Sequence, residues 1–268
     1  MPSDIRQVDA SDYRNAADLQ SGAMLVVGSG QSGGQIAEDL VEAGRTVFLA
    51  TSRTGRLSRR YRGHDILIWL VRSGFLDVPR KELIQPSGRI PARALLGAVH
   101  TISLQSLSAK GVILLGRFMD LEHVSHFSFA DNLEENLRFA DEASANVKRH
   151  IDEYIARTGT EAPAAEPDPA EIVAARLPNP PIRSLELTGS GITSIIWCTG
   201  FQGDFSWVRV SGVLDAMGQP LHEEGVAAIA GIYFAGLDFA STRKSGTILA
   251  IAEEAASLVE HIGASLTR

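Results

Sequence analysis

The chain has 268 residues, a formal charge of -7 at neutral pH and a single cysteine, Cys198. The acidic balance argues against a nucleic-acid surface, which needs a basic excess, and one thiol forms no disulfide within the chain, as suits a reducing cytosol. With no apolar run near the ~20 residues that cross a bilayer, and no apolar signal core in Met1-Pro2-Ser3-Asp4-Ile5-Arg6, the expectation is a soluble, cytoplasmic protein with no membrane or nucleic-acid partner.

Met24 to Val27 is an apolar run ending at Gly28 and reads as a buried strand. From Ser32 to Ala43 the period turns helical. Ile36, Ala37, Leu40 and Val41 share one face, Glu38, Asp39 and Glu42 the other, and Gly44 is placed to end the helix. Thr46 to Ala50 is a second β-rich run, so strand, glycine turn, helix and strand follow within about 30 residues as a βαβ unit. An arginine-rich loop, Arg53 to Arg62, leads to a predicted helix from His64 to Ser73. Pro79 to Pro91 reads as loop, Gly111 to Leu115 as a strand, and Asp131 to Ala156 as a long surface helix. Ala162 to Pro181, rich in proline and alanine, reads as a mobile connector. Leu185 to Leu187 and Ile192 to Trp197 flank the turn Thr188-Gly189-Ser190-Gly191 and predict a hairpin. Gly231 to Gly236 reads as a further buried strand, and Ser245 to Leu266 as a long closing helix.

Gly28-Ser29-Gly30-Gln31-Ser32-Gly33 matches G-x-G-x-x-G, and each glycine has a mechanical task. Gly28 permits the tight turn, Gly30 lets a pyrophosphate approach the backbone, and Gly33 lets helix and strand pack closely. The helix N-terminus adds free N–H groups and partial positive charge for the phosphates. Alone the pattern is weak, because a glycine-rich loop need bind nothing. Its place between a predicted strand and a predicted helix makes a dinucleotide site the better reading.

The residues that end the second strand select the nucleotide. NAD sites, and sites for the ADP half of FAD, usually hold a carboxylate there for the ribose hydroxyl. This chain has Ala50-Thr51-Ser52-Arg53. A hydroxyl and a guanidinium suit the 2′-phosphate that a carboxylate would repel. NADP is therefore favoured over both NAD and FAD at this site, with Ser52 and Arg53 as its contacts. Arg56, Arg59, Arg60 and Arg62 follow, each either a further phosphate ligand or a solvated charge. Arg60 is the candidate after Arg53.

Ser11-Asp12-Tyr13-Arg14-Asn15 with LVVGSGQSGGQIAEDL, then SRRYRGHDILIWL, Thr199-Gly200-Phe201, GIYFAGL and Ser245-Gly246, resembles the flavin-containing monooxygenase-like oxidoreductases, in order along most of the chain. The resemblance implies an α/β flavoprotein fold with two dinucleotide-binding domains, one for FAD and one for NADPH. It also implies the reaction: NADPH reduces FAD, and one atom of oxygen passes to a nucleophilic small molecule. On that pattern residues 1–21 are a leading segment. Residues 22–200 are a Rossmann-type NADP-binding domain with a helical insertion and the proline-rich connector near 160–182. Residues 201–268 are the C-terminal part of a FAD-binding domain. Gly28, Ser29, Gly30, Gln31, Ser32, Gly33 and Gln35 fall in the NADPH loop. Thr199, Gly200 and Phe201 would lie where the NADPH domain returns to the FAD domain. Gly236, Leu237 and Asp238, with Ser245 near the start of the last helix, would face the flavin, the helix N-terminus stabilising negative charge on its ring.

The chain departs from the family at its start. Members open with a glycine motif of their own for FAD; here none precedes Gly28, and Gly189-Ser190-Gly191 sits in the predicted hairpin. The family's histidine before the aligned tyrosine is also absent, with Asp9 near its place. The expectation is an incomplete architecture that lacks the amino-terminal FAD-binding half and supplies the NADPH site. Such a chain would bind FAD poorly, expose residues 231–236 as an apolar edge, and self-associate or pair with a separate FAD-binding half. The competing reading is a catalytically inactive nucleotide-binding fragment, or one half of a split flavoenzyme. A short-chain dehydrogenase is disfavoured, since none of Tyr13, Tyr61, Tyr154 and Tyr233 has a lysine four residues on. No residue reads as an acid–base catalyst, as fits chemistry carried by a flavin. His123 and His126 could be metal ligands on a helix, yet nothing completes a set, so no metal is expected.

Overall fold

Every residue from Ala23 to Val27 is buried, as a strand covered on both faces requires. The computed structural model describes residues 3–90, 92–122 and 125–266. Its elements in chain order begin with β1 (Arg6–Asp9), β2 (Ala23–Val27), α1 (Gln31–Glu42) and β3 (Val47–Ala50). The short β4 (Arg60–Tyr61) and β5 (His64–Asp65), α2 (Ile66–Arg72), α3 (Arg80–Leu83) and α4 (Leu104–Lys110) follow. Next come β6 (Ile113–Leu115), β7 (Phe118–Glu122), β8 (His126–Phe129), α5 (Leu133–Thr158) and α6 (Pro169–Ile172). The last are β9 (Ser184–Glu186), β10 (Ile192–Trp197), β11 (His222–Glu223), β12 (Val226–Ala227) and α7 (Ile251–Leu266). The chain divides into two units, Met1–Trp69 with Ala92–Gly200, and Leu70–Pro91 with Phe201–Arg268.

The first unit is a mixed α/β body around a parallel sheet of order β1-β10-β2-β3-β6. Alternate residues serve two different layers. Met24, Val26, Val47, Leu49 and Ile196 join Ile36, Ala37 and Leu40 of α1 and Leu104 and Leu107 of α4. Leu25, Val27, Phe48, Ala50 and Ile195 join Phe127 and Phe129 of β8 and Leu185 beside Leu187, in the antiparallel sheet β7-β8-β9. That double coverage is why β2 and β3 are apolar throughout rather than alternating. α4 is set by a capping box, in which Ser103 and Ser106 satisfy each other's backbone N–H, and Gly111 at φ 111° ends it.

Several expectations from the sequence are corrected. Residues 185–197 form no hairpin. β9 pairs with β8, while β10 inserts between β1 and β2 as a parallel strand, so the Thr188–Gly191 turn links two sheets. α4, the β7–β8 pair and the single turn α3 within 79–91 have no counterpart among the elements expected from the sequence. The proline-rich stretch is pinned in place. Asp168 accepts from Thr101 Oγ1 at 2.5 Å, Ser103 Oγ donates to the Ala170 carbonyl at 2.5 Å, and Arg176 N donates to Ser108 Oγ at 3.0 Å. His126 lies on a strand rather than a helix, and His123 falls outside the described residues.

In the second unit residues 231–236 form no strand; a lone bridge, Val226 to Tyr233, is the only ladder contact there among the described residues. Among the described residues, regular sheet in this unit amounts to the pair β11–β12. The closing helix begins at Ile251, so Ser245 lies in a turn six residues before it. The two 70–91 and 201–268 stretches are joined by Arg80 N to the Ser241 carbonyl at 2.8 Å and by Arg243 stacked 3.8 Å from the Phe75 ring centroid.

Candidate functional site

β2 ends at Val27, and the chain turns at Gly28 with φ 106°. Gly28 N donates to the Ala50 carbonyl at 2.9 Å, so the loop is tied to the end of β3. A Cβ on Gly28 would overlap the Cys198 carbonyl oxygen, and one on Gly33 would overlap the Gly28 carbonyl oxygen. Both glycines are therefore demanded by the protein's own packing. Gly30 is different. Its φ is -70°, which any residue adopts, and a Cβ there would meet nothing within 4 Å. Open space thus lies at the glycine that the sequence assigns to the approach of a pyrophosphate.

Gly30 is also the N-cap of α1, with no side-chain acceptor, and the first turn of the helix contains no acidic residue. The first N–H groups and the positive end of the helix dipole face this space unopposed. The chain runs outward from β2 to β3 and β6 on one side, and later returns to place β10 on the other. Gly28 and Cys198 thus meet where the strand order reverses, at the carboxyl ends of the strands, the position at which open α/β sheets receive ligands.

The other expected residues divide by what they touch. Ser29 is buried; its Oγ accepts from Ser52 N at 2.9 Å and bonds Ser52 Oγ at 3.3 Å, bracing the glycine loop against the β3 exit. Gln31 is exposed and Ser32 half-buried at the helix start. Gln35 spends its amide on the Leu96 carbonyl at 3.2 Å. Ser52 Oγ meets Thr54 Oγ1 at 2.9 Å, and the exposed Arg53 guanidinium lies 4.6 Å from the Phe139 ring centroid.

The arginines that follow sort cleanly. Arg56 is 4% exposed and pairs with Asp141 at 2.5 Å and with Glu171. Arg59 pairs with Asp65, and Arg62 with Asp152 at 2.7 Å. Arg53 and Arg60 pair with no carboxylate among the described residues, and both are exposed. Arg60 donates to the Gly63 carbonyl at 2.8 Å and lines a cleft of about 360 Å³ with Arg62, His100 and Asp168. Among the described residues, neither the hydrogen bond nor the cleft of Arg60 includes the glycine loop.

Thr199 and Gly200 are exposed just past β10. Before them, burial pushes the Cys198 thiol up to about 12, with the charge of Asp9 adding to the effect. In the second unit Phe201 is exposed, Gly236 turns at φ 77°, Leu237 is half-buried and Asp238 packs against Gly246. Ser245 is fully buried, its Oγ accepting from Ser241 N at 3.0 Å and Thr242 N at 2.9 Å. It is a loop brace, not a helix-start contact. The true first turn of α7 carries Glu253 and Glu254, which complement the dipole themselves and would repel an anionic flavin ring.

Phe139 and Asn136 of α5 have no signal in the sequence, because nothing local marks them. Asn136 Nδ2 donates to Thr51 Oγ1 at 2.9 Å, and Thr51 Oγ1 donates to the Leu115 carbonyl at 2.7 Å. The described residues hold no group of three or more His, Cys, Asp or Glu side chains placed to bind a metal ion, and no described helix is long and apolar enough to cross a membrane.

No family model matches the chain. Over 96% of its length it is 27% identical to an uncharacterized CzcO-like oxidoreductase of Geobacillus kaustophilus, of which it covers 57%. It is 25% identical to the uncharacterized oxidoreductase CzcO of Bacillus velezensis over 96% of the chain and 58% of that protein. Among solved structures, 97% of the chain aligns with 55% of the flavin-containing monooxygenase of Stenotrophomonas maltophilia, with a TM-score of 0.50 and 14% identity. A doubly substituted variant of the flavin monooxygenase from the same organism gives a TM-score of 0.52 at 14% identity, with 97% and 56% of the two chains covered. Along nearly all its length the chain is similar to CzcO-like oxidoreductases and has the fold of flavin monooxygenases, spanning a little over half of each.

Proposed function

We propose that this chain serves a flavin-dependent oxidoreductase and supplies its NADPH site. The observation that carries the reading is the open approach to Gly30, at a helix N-terminus without a cap side chain or a first-turn acid. Backbone N–H groups of the loop from Gly28 to Gly33 would take the pyrophosphate. Ser52 and Arg53 would take the 2′-phosphate, since the β3 exit has a hydroxyl and an exposed guanidinium where an NAD site has a carboxylate. Thr199 and Gly200, beyond β10 on the same sheet edge, would flank the dinucleotide. Arg60 is a more distant phosphate candidate, and Ser29 and Gln35 support the loop rather than touch the ligand.

In this reading the fold is a Rossmann-type NADP domain, residues 22–200, joined to part of a FAD domain, residues 201–268. FAD, when bound, supplies the centre that takes up reducing equivalents and activates oxygen for transfer to a nucleophilic small molecule. This chain's contribution to it is the corner Gly236-Leu237-Asp238, with Phe201 as a further candidate. The fit there is limited, because Ser245 is spent on its own loop and the first turn of α7 is acidic. The sparse sheet of the second unit favours a second reading, a nucleotide-binding part that works only with a FAD-binding partner.

Calorimetric titration with NADPH, NADH and FAD in turn tests both. NADPH held well above NADH supports the site; equal affinities overturn it. Stoichiometric FAD binding and a yellow protein would favour a self-sufficient flavoenzyme over the partner-dependent reading.

A further inference from the structure

The loop that leaves β3 runs along α5 in step with it. Thr51 receives Asn136, Arg53 lies over Phe139, and Gly55 passes so near Ala143 that a Cβ on the glycine would sit 3.0 Å from the alanine Cβ. Asn136, Phe139 and Ala143 are spaced three and four residues apart, so they share one face of the helix. Further along, Arg56 pairs with Asp141, and Tyr61 and Arg62 both bind Asp152, at 2.8 and 2.7 Å. The N-terminal end of α5 is itself fixed to the sheet. Asn132 Oδ1 accepts from Arg117 N at 3.0 Å, and Asn136 reaches Leu115 through Thr51. The template is thus anchored at the point where it meets the exit of β3.

We propose that α5 sets the nucleotide preference of the site, with Phe139 as a positioning residue that holds the Arg53 guanidinium ready for a 2′-phosphate. This rests on the reading of the loop as an NADPH site. An exposed arginine on a flexible stem loses rotamer freedom when it grips a phosphate, and that loss weakens the grip. A guanidinium already resting on an aromatic face has lost part of that freedom in advance, and its charge is retained. Arg56, Arg59 and Arg62 are held by carboxylates, which would compete with a phosphate, and Arg60 donates to the Gly63 carbonyl; Arg53 is held by a ring, which leaves its donors to a phosphate. The specificity then comes from a helix more than 80 residues away in sequence, not from the glycine motif.

The test compares NADP⁺ and NAD⁺ affinities by calorimetry for the intact chain and for Phe139→Leu, Phe139→Tyr, Gly55→Ala and Arg53→Ala, with thermal unfolding followed for each. Phe139→Leu keeps apolar bulk without the π face and should lower the NADP⁺ preference ~2- to 10-fold, the ordering cost of one long side chain, with NAD⁺ affinity unchanged. Phe139→Tyr should keep the preference. Gly55→Ala, which pushes the loop away from α5 without touching the ring, should lower it. An unchanged preference in Phe139→Leu and Gly55→Ala, with Arg53→Ala losing it, overturns the role of α5 and leaves the NADPH site standing. Lack of preference in the unsubstituted chain, or no effect of Arg53→Ala, overturns the site itself and this inference with it.

Discussion

Gly33 and Gly28 meet backbone to backbone, close enough that a Cβ on Gly33 would overlap the Gly28 carbonyl oxygen. The start of α1 is thereby seated directly on the end of β2, and the N-terminal amides are aimed from a fixed base. Between them in sequence, Gly30 has no such neighbour. One motif therefore contains glycines held by folding and a glycine with open space beside it.

Substitutions at Gly33 and Gly30 should separate accordingly. Gly33→Ala must move backbone against backbone, and should destabilise by about 3 kcal/mol or more, at or beyond the top of the overpacking range. Gly30→Ala, an N-cap change without a clash, should unfold in urea within about 1 kcal/mol of the parent and yet lose most NADPH affinity. Equal losses of stability in the two variants would remove the distinction on which the site rests.

The strand–glycine–helix–strand opening is readable because its signals are local: an apolar run, a turn, a 3.6-residue period and a second run. The departures later in the chain have a shared cause. Ile192–Trp197 follows a turn and so suggests a hairpin, but its pairing with β1 and β2 is decided by sheet order far away in sequence. The unbroken apolar pair Ile195-Ile196 is the available hint of a central parallel strand. α4 carries a legible signature in Ser103, Ser106 and Gly111, a cap at each end of a helix only seven residues long. Gly231–Gly236 has strand composition, yet its ladder among the described residues stops at the one bridge from Tyr233 to Val226. At the site, the glycines and Ser52-Arg53 are legible, whereas Phe139 and Asn136 are not, since a tertiary contact with a distant helix leaves no pattern in either segment.

The arginine loop offers a second contrast. Arg56 is buried and pairs with both Asp141 and Glu171, so Arg56→Ala takes the cation from Asp141 and leaves Glu171 with Lys148 alone. Losing one member of a fully buried ion pair costs about 3–5 kcal/mol; with Asp141 half-exposed and Lys148 still on Glu171, the variant should lose about 2 kcal/mol by chemical unfolding. Arg53→Ala removes an exposed side chain and should change stability by no more than about 0.5 kcal/mol. A result in which Arg53→Ala is the more destabilising would mean that Arg53 is structural, and would weaken its assignment to the phosphate.

Glu171 anchors the proline-rich stretch to this same cluster. Its carboxylate accepts from Ser58 Oγ at 2.7 Å and Ser144 Oγ at 2.8 Å, and pairs with Arg56 and Lys148. Burial alone would raise its pKa; the hydrogen bonds from Lys148, Ser58 and Ser144 and the charge of Arg56 outweigh burial and bring it from the ordinary 4.5 to about 2. A depressed folded-state value means that the stabilisation is complete above the unfolded value and is lost as pH falls through about 2. With allowance for solvent screening of the partly exposed cluster, the contribution at neutral pH is on the order of 2 kcal/mol. In Glu171→Gln, stability at pH 7 should drop, and the difference from the parent should shrink steadily below pH 4.5. A constant difference down to pH 2 would show that the charge of Glu171 is not what secures the connector.

The second unit exposes many large apolar side chains to solvent. Phe201 and Trp207 are each 72% exposed, Met217 is 75% and Ile248 is 91% exposed, and α7 adds Val259 and Ile262. Exposed apolar side chains that adjoin, as Ile248 and Leu249 do in sequence, are the kind of surface that another polypeptide covers. The isolated 268-residue chain should therefore self-associate with rising concentration in sedimentation velocity, and should brighten a dye that reports exposed apolar surface. Ile248→Ser with Leu249→Ser should reduce both effects while leaving NADPH affinity as it was, because both residues belong to the second unit and the glycine loop to the first. A chain that stays monomeric over a wide concentration range, with no dye response, would show that these side chains are already satisfied, and would favour the self-sufficient reading over one that needs a FAD-binding partner.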